Sequence, residues 1–327
     1  MFLATASVDS TTVLWQVMCN FGVSNNSTMK IILTGSLGNI SQPLATDLVQ
    51  KGHKVVVISR NTEKQHAIEA FGATAAIGSL EDIAFLTATF TGADAVYTMV
   101  PPNNYFDPAL DLLAYYHRLG NNYAQAIRDS GVKRVVNLST IGAHLEQGSG
   151  ILLGAHGVEK ILNQLSSDVA LTHLRPTSFY YNLLGYIAMI KSGGAIAANY
   201  GADHTIPWVS PVDIAAAIVS EIVLPKVNQK VRYVASDEVM GNVTARILGG
   251  AIGKPDLKWV LISDEETLEG LKAIGMNPKI AAGLVEMYAS LQSGLLGEDY
   301  NRNKPAVMGK IKLADYAKEF AAAFHQK

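Results

Sequence analysis

The chain has 327 residues, nearly half of them apolar, a net charge of −2 and a single cysteine, Cys19. That length suits one large α/β domain, or one with a smaller appendage. One cysteine excludes an intrachain disulfide and fits a reducing compartment, so a cytoplasmic location is expected. Lys and Arg are scattered rather than run together, which argues against nucleic acid or an anionic membrane as partner. No apolar run reaches the length of a membrane span.

Residues 1–28 read as a leader outside the fold. No Lys or Arg precedes Lys30, so the charged start of a secretory signal is missing. Residues 3–15 resemble the closing strands of a WD-type propeller blade, but one partial blade cannot bury its own face. Met29 is the expected natural first residue.

From Met29 onward, short apolar runs alternate with amphipathic stretches. A strand is expected over 29–34 and a helix opening near Ser41, with Pro43 in its first turn and Gly52 at its end. Val55-Val56-Val57-Ile58 is apolar on both faces, as a buried parallel strand should be. A helix over 63–71, a short strand over 74–77 and a helix over 80–90 follow, then a strand over 93–100 stopped by Pro101-Pro102. A long helix over 107–129 leads to a fifth strand at 134–138, and a helix over 158–165 to a sixth at 169–174. This alternation predicts an α/β fold with a doubly wound parallel sheet.

After Pro176 the rhythm loosens. Strands are expected at 230–234 and 258–262, a capping box at Ser263 and Glu266, and a helix starting at Asn277-Pro278. Ile280, Leu284, Met287 and Leu291 share one face of that helix, which reads most simply as core packing. The expected division is a dinucleotide-binding core over 29–176 and a smaller C-terminal α/β region over 177–327, which covers substrate and interleaves with the core.

The strongest chemical signal is Thr34-Gly35-Ser36-Leu37-Gly38-Asn39-Ile40-Ser41. A strand, a glycine turn and a helix N-terminus make a phosphate cradle, because glycine lets the backbone approach a pyrophosphate and the free N–H groups favour its charge. Thr34, Gly35, Leu37, Gly38, Asn39 and Ile40 are the expected pyrophosphate contacts. The second strand ends in Ser59-Arg60-Asn61, with no Asp or Glu to accept from a ribose 2′-hydroxyl. Arg60 can instead pair with a 2′-phosphate, with Ser59 as a second contact, so NADP(H) is expected over NAD(H). The plain alternative for Arg60 is a solvated strand end.

These segments, with Leu174-Arg175-Pro176-Thr177-Ser178-Phe179-Tyr180-Tyr181-Asn182-Leu183 and Ser210-Pro211-Val212-Asp213-Ile214-Ala215, resemble the NmrA-like group of atypical short-chain dehydrogenase/reductases. The resemblance implies a Rossmann fold. It also implies one of two functions: an NADPH-dependent quinone or azo-dye reductase, or a regulator that binds the dinucleotide without turnover. Two positions depart from the family pattern. Ser41 replaces the third glycine, and Gly78-Ser79-Leu80 replaces Gly-Asp-Leu, so Ser79, Leu80 or backbone groups must meet the adenine. Val100 and Pro101 are expected on the nicotinamide side.

Orthodox short-chain reductases pair a Ser with a Tyr-x-x-x-Lys helix after the fifth strand. Ser139 stands where that Ser belongs, but no Tyr-x-x-x-Lys follows it, and the literal match Tyr300-x-x-x-Lys304 lies far beyond, before Pro305. His156 stands beside Ala155, where relatives carry a Lys. It is the expected proton donor or ribose contact, against the plain reading of an idle histidine at a helix start. Glu159 is expected to tie its helix to the backbone. Without a strong acid the site suits electron-poor acceptors, whose reduced anions water can protonate. Phe179, Tyr180, Tyr181, Asn182 and Trp208, with Tyr186, are the expected acceptor wall, some of them as core only. No metal is expected. The two readings left open are an NADPH-dependent reductase of a small quinone-like or aromatic acceptor, and a redox sensor acting through a protein partner.

Overall fold

The computed structural model describes residues 28–223 and 230–326; the leader expectation, the blade-like segment and Cys19 lie outside them. Strand β1 (Lys30–Leu33) leads through a turn into helix α1 (Ser41–Gln50) and strand β2 (Lys54–Ser59). Helix α1 stops in a Schellman turn: Gly52, at φ +82°, donates to the Val49 carbonyl and His53 to that of Leu48. Next come α2 (Gln65–Ala70), β3 (Thr74–Ile77), α3 (Ile83–Phe90), β4 (Ala95–Thr98), the long α4 (Leu112–Ser130) and β5 (Arg134–Leu138). Then follow α5 (Leu153–Leu162), β6 (Ala170–Pro176), β7 (Ser178–Phe179), α6 (Ile187–Gly193), β8 (Ala195–Ala198) and β9 (Thr205–Val209). The remainder is α7 (Pro211–Val223), β10 (Lys230–Val234), β11 (Asp237–Met240), α8 (Gly241–Ala251), β12 (Lys258–Leu261), α9 (Asp264–Ala273), α10 (Pro278–Gln292), α11 (Glu298–Arg302) and α12 (Leu313–His325).

Seven parallel strands form the central sheet in the order β10-β6-β5-β4-β1-β2-β3. The order reverses between β1 and β4, which opens a crevice outside their carboxyl ends. Alternate residues feed opposite layers. Ile31 and Leu33 face one layer with Leu44 and Leu48 of α1 and Ile214 and Ile218 of α7. Ile32, Val96 and Val135 face the other, with Leu86, Leu119, Tyr123 and Val158 of α3, α4 and α5. Full burial stabilises each such leucine by about 1.5–3 kcal/mol. Helices α4 and α5 approach closely because a Cβ at Gly154 would lie 2.6 Å from the Tyr116 ring.

Two small sheets, β11-β9-β7 and β12-β8, carry the C-terminal part around a third core that includes Tyr180, Trp208, Trp259 and Phe320. Strand β10 returns from this part to pair in parallel with β6. The long fourth helix starts at Leu112 rather than 107, because the Asp111 carboxylate caps it by accepting from Ala114 N–H. The next begins at Leu153 rather than 158, after a 3-10 turn over Gly150–Leu152, so His156 sits inside the helix and not at its start. The capping box at Ser263 and Glu266 and the Asn277 cap of α10 form as expected. Of the α10 stripe, Ile280 and Leu284 are core; Met287 packs at its edge. No helix among the described residues is long and apolar enough to cross a membrane.

Candidate dinucleotide and acceptor site

The turn after β1 is built around a contact that admits no side chain. A Cβ at Gly35 would fall 1.9 Å from Ser41 Oγ. Ser36 is held at φ +50°, a left-handed conformation that a serine adopts at some cost. Gly38 N–H donates to the Gly35 carbonyl at 3.2 Å, closing the loop that presents Leu37, Asn39 and Ile40 before α1. Ser41 is buried in the place of the smaller glycine, with its hydroxyl against the turn. The bare backbone at Gly35 and the open N-terminus of α1, which has no side-chain cap, fit a pyrophosphate.

The neighbouring strand ends hold this turn in place. Thr34 Oγ1 accepts from Met99 N–H at 3.0 Å, joining β1 to the segment after β4 that carries Val100 and Pro101. Ser59 is buried, and its hydroxyl is occupied: it donates to the Asn61 carbonyl at 3.2 Å and accepts from Ser36 Oγ at 3.1 Å. The expected phosphate contact at Ser59 is therefore replaced by a brace between the β2 end and the turn. Ser36, which the spacing argument did not single out, is the half-buried other side of that brace. Arg60 is exposed, and among the described residues it makes no ion pair, so its guanidinium is free to meet an anion. Ser79 Oγ accepts from Glu81 N–H, the Leu80 carbonyl accepts from Asn122 Nδ2, and Ser79 is half-buried.

The predicted catalytic pair is placed differently from expectation. Ser139 is buried and its hydroxyl donates to Glu159 Oε1 at 2.5 Å, so it cannot donate to an acceptor at the same time. Glu159 is not tied to backbone. Its carboxylate also takes a forked pair from Arg175, Nε at 2.9 Å and the terminal nitrogen at 2.6 Å. Arg175 donates further to Tyr233 Oη and Asp299 Oδ2. Burial works against the Arg175 charge, but the hydrogen bonds and charge of Glu159 outweigh it and raise its pKa above the ordinary arginine value. Arg175 stands out in the sequence only as part of a motif, since its partners lie on three other elements. His156 Nδ1 donates to the Ala143 carbonyl at 2.9 Å, which leaves Nε2 as an acceptor in the neutral ring. The literal Tyr300-x-x-x-Lys304 match has a structural use: both side chains bind Glu238.

The predicted aromatic wall divides. Phe179 and Tyr181 are half-buried and stacked, with ring centres 4.9 Å apart. Asn182 is exposed beside them. Tyr180 and Trp208 are not wall residues. Both are fully enclosed, and Tyr180 stacks on Tyr316 at 5.1 Å while its hydroxyl donates to the Ile311 carbonyl. Tyr180 opens a 3-10 helix over Tyr180–Tyr186, in which Tyr180 and Leu183, three residues apart, turn inward while Tyr181 and Asn182 face outward. Tyr186 is half-buried and packs against the core that holds Tyr180, with its hydroxyl 2.9 Å from that of Tyr200.

A doubly wound sheet with a glycine turn at its switch point defines a dinucleotide-binding protein of the Rossmann class. The NmrA-like family matches residues 27–306, and the chain belongs to that family. An NAD(P)H azoreductase from Xenophilus azovorans is 26% identical over 297 residues, covering 90% of this chain and 99% of the relative. Among solved structures, the Escherichia coli NADPH-dependent quinone oxidoreductase complexed with NADPH superposes with a TM-score of 0.73 at 21% identity, covering 88% of this chain and 99% of the other. The Citrobacter sp. triphenylmethane reductase complexed with NADP(H) gives 0.70 at 19%, covering 89% and 99%. At these identities the structural likenesses establish the fold.

Proposed function

We propose that this protein is an NADPH-dependent reductase that transfers hydride to a small, electron-poor acceptor, quinone-like or aromatic. The observation that carries the reading is the Gly35 turn, where the backbone is so close to Ser41 that a methyl group would collide. The unpaired Arg60 at the end of β2 supports NADPH over NADH. The azoreductase relative and the quinone oxidoreductase neighbour support the same class of activity.

A bound dinucleotide supplies hydride at its nicotinamide ring. The chain supplies the rest. The N–H groups of residues 35–40, apart from that of Gly38, which closes the turn on the Gly35 carbonyl, meet the pyrophosphate, and Arg60 pairs with the 2′-phosphate. Val100 and Pro101, fixed through the Met99–Thr34 bond, flank the nicotinamide side. His156 Nε2 can accept from a ribose hydroxyl. The stacked Phe179 and Tyr181, with Asn182, offer a flat acceptor an aromatic face. In this reading 29–176 is the dinucleotide-binding part and 177–327 the acceptor-covering part, interleaved because α7 and β10 return to the sheet.

One observation favours a second reading. With Ser139 committed to Glu159 and no Tyr-x-x-x-Lys on α5, the site lacks the usual reductase acid, as a non-catalytic redox sensor would. Two measurements separate the readings. In a thermal-shift titration, a ligand at about a hundredfold its Kd adds about 2.7 kcal/mol to the folded state. NADPH should shift the melt more than NADH, and no shift with either would sink both readings. NADPH oxidation is then followed with quinones, nitroaromatics and enals. Turnover above the free-cofactor rate makes it a reductase, whereas binding without turnover makes it a sensor.

A further inference from the structure

A dinucleotide lies outside the carboxyl ends of a doubly wound sheet, with its halves on either side of the point where the strand order reverses. Here that point falls between β1 and β4. One half then borders the segment after β3, which begins at Gly78, and the other the segment after β4, which begins at Met99. Strands β2 and β1 lie between β3 and β4, so the two segments leave the sheet about 14 Å apart at the usual strand spacing. Two consecutive buried residues of α4 hold both. Asn122 Nδ2 donates to the Leu80 carbonyl at 3.1 Å, and Tyr123 Oη donates to the Met99 carbonyl at 2.7 Å. Neighbouring side chains on a helix diverge by about 100°, so a single turn reaches in two directions.

Each bond closes a segment that is already constrained. On the β3 side, a Cβ at Gly78 would lie 2.5 Å from the Phe85 ring, so α3 covers the backbone there. Ser79 Oγ accepts from Glu81 N–H at 3.1 Å, and Asp82 N–H donates to the Ser79 carbonyl at 3.2 Å. Arg118, one turn before Asn122 on α4, pairs with Glu81 at 3.4 Å, but both side chains are half-exposed and such a pair contributes little. Asn122 is therefore the buried anchor of this turn. On the β4 side, Met99 is held at both of its backbone groups: its N–H by Thr34 Oγ1 at 3.0 Å and its carbonyl by Tyr123. Thr34 precedes Gly35, so Tyr123 is linked through Met99 to the cradle. Helix α4 is itself seated closely on α5, since a Cβ at Gly120 would lie 3.2 Å from Ile161 Cδ1 and 3.3 Å from Val158 Cγ2.

We propose that Asn122 and Tyr123 are positioning residues for the two ends of the dinucleotide: Asn122 sets the 78–80 segment against the adenine end, and Tyr123 sets the 99–101 segment against the nicotinamide. The inference rests on the dinucleotide site of the reductase reading and adds two residues to it. Both are buried, so they act through the carbonyls they hold. A carbonyl bonded to a buried donor resists turning out to water and taking its loop with it. Because the donors are consecutive on one helix, α4 also fixes the two segments relative to each other.

The test uses the full chain, and its main arm needs no turnover. Adenosine 2′,5′-bisphosphate probes the adenine end alone, and the emission of bound NADPH reports the surroundings of its reduced nicotinamide. One neutral hydrogen bond is worth about two- to tenfold in an equilibrium constant. Asn122→Leu should weaken adenosine 2′,5′-bisphosphate and NADPH by that factor and leave the bound emission unchanged. Asn122→Ala should do the same, which keeps this arm readable where leucine does not fit. Tyr123→Phe keeps the buried ring. It should leave the bisphosphate affinity unchanged, shift the bound NADPH emission and, with 1,4-benzoquinone, lower kcat by about tenfold. A helix that only filled the core would move Tm and none of these. Equal losses of bisphosphate affinity in the Asn122 and Tyr123 variants, or no change in affinity and emission in any of them, would overturn the proposal and leave the reductase reading standing. Absence of quinone turnover in the unaltered protein would overturn the reductase reading, while the split between affinity and emission still decides the roles of Asn122 and Tyr123. Absence of NADPH binding would overturn both.

Discussion

At the scale of single residues, the cradle was the most legible part of the site, because the strand, turn and helix that define it are contiguous in the chain. The contact between Gly35 and Ser41 gives that reading a coupled test. Gly35→Ala sets a methyl group 1.9 Å from Ser41 Oγ, an overpacking that costs about 1–3 kcal/mol. It should also lose the NADPH thermal shift. Ser41→Gly removes the obstructing hydroxyl, so the double variant should recover part of both losses in denaturant melts and ligand titration. No recovery would mean that the turn fails for another reason. Arg60 makes a separate prediction. Charge-assisted hydrogen bonds contribute about 1.5–3 kcal/mol, so Arg60→Ala should weaken NADPH binding by roughly ten- to a hundredfold and leave NADH little changed. Equal losses for the two ligands would remove the 2′-phosphate assignment. Ser59 shows where residue-level reading stopped. Its position at the strand end was visible in the sequence, but its bonds to Ser36 and Asn61 depend on how the turn folds back.

At the scale of elements, parallel strands announced themselves by apolar runs buried on both faces, while helix starts were misjudged where capping decided them. Asp111 rather than Asp107 begins α4, and the residues between form the loop clamped by Asn277. The larger gap was the buried network. Glu159 on α5, Arg175 on β6, Tyr233 on β10 and Asp299 on α11 meet through side chains 16 to 124 positions apart, and no spacing rule reports that. Arg175 thus joins the core sheet to the C-terminal part. Removing one partner of a buried pair leaves an uncompensated charge and costs about 3–5 kcal/mol. Arg175→Met should lower stability by that amount in urea, and it frees Glu159 to hold Ser139 alone. If Glu159→Gln combined with Arg175→Met is no better than Arg175→Met by itself, the stranded carboxylate is not the source of the loss.

For the whole molecule, the same enclosure predicts how stability depends on acid. His173 is buried and its ring is held neutral. Burial lowers its pKa, and Nδ1 faces Asn137 Nδ2 while Nε2 faces Asn163 Oδ1. Burial lowers His144 as well, in part against the pull of Asp299, with Arg175, Arg302 and Glu298 around it, and neither of its ring nitrogens has a partner. Each histidine binds a proton more weakly folded than unfolded. Its contribution is therefore complete above the ordinary value of 6.5 and is lost as the pH falls below it. Glu221 adds to the acid side. Burial pushes its carboxyl up, but Lys230 and Arg232 outweigh that and hold it below 4.5, so its contribution persists above 4.5 and goes as the pH falls further. Tm should accordingly drop between pH 7.5 and 5.5, and again below pH 4.5. His144 is the informative substitution, because a ring without hydrogen bonds can be replaced by leucine at little cost while neutral. His144→Leu should leave Tm at pH 7.5 nearly unchanged and raise it at pH 5.5, narrowing the gap. A gap as wide as in the unaltered protein would assign the first acid transition to His173 alone.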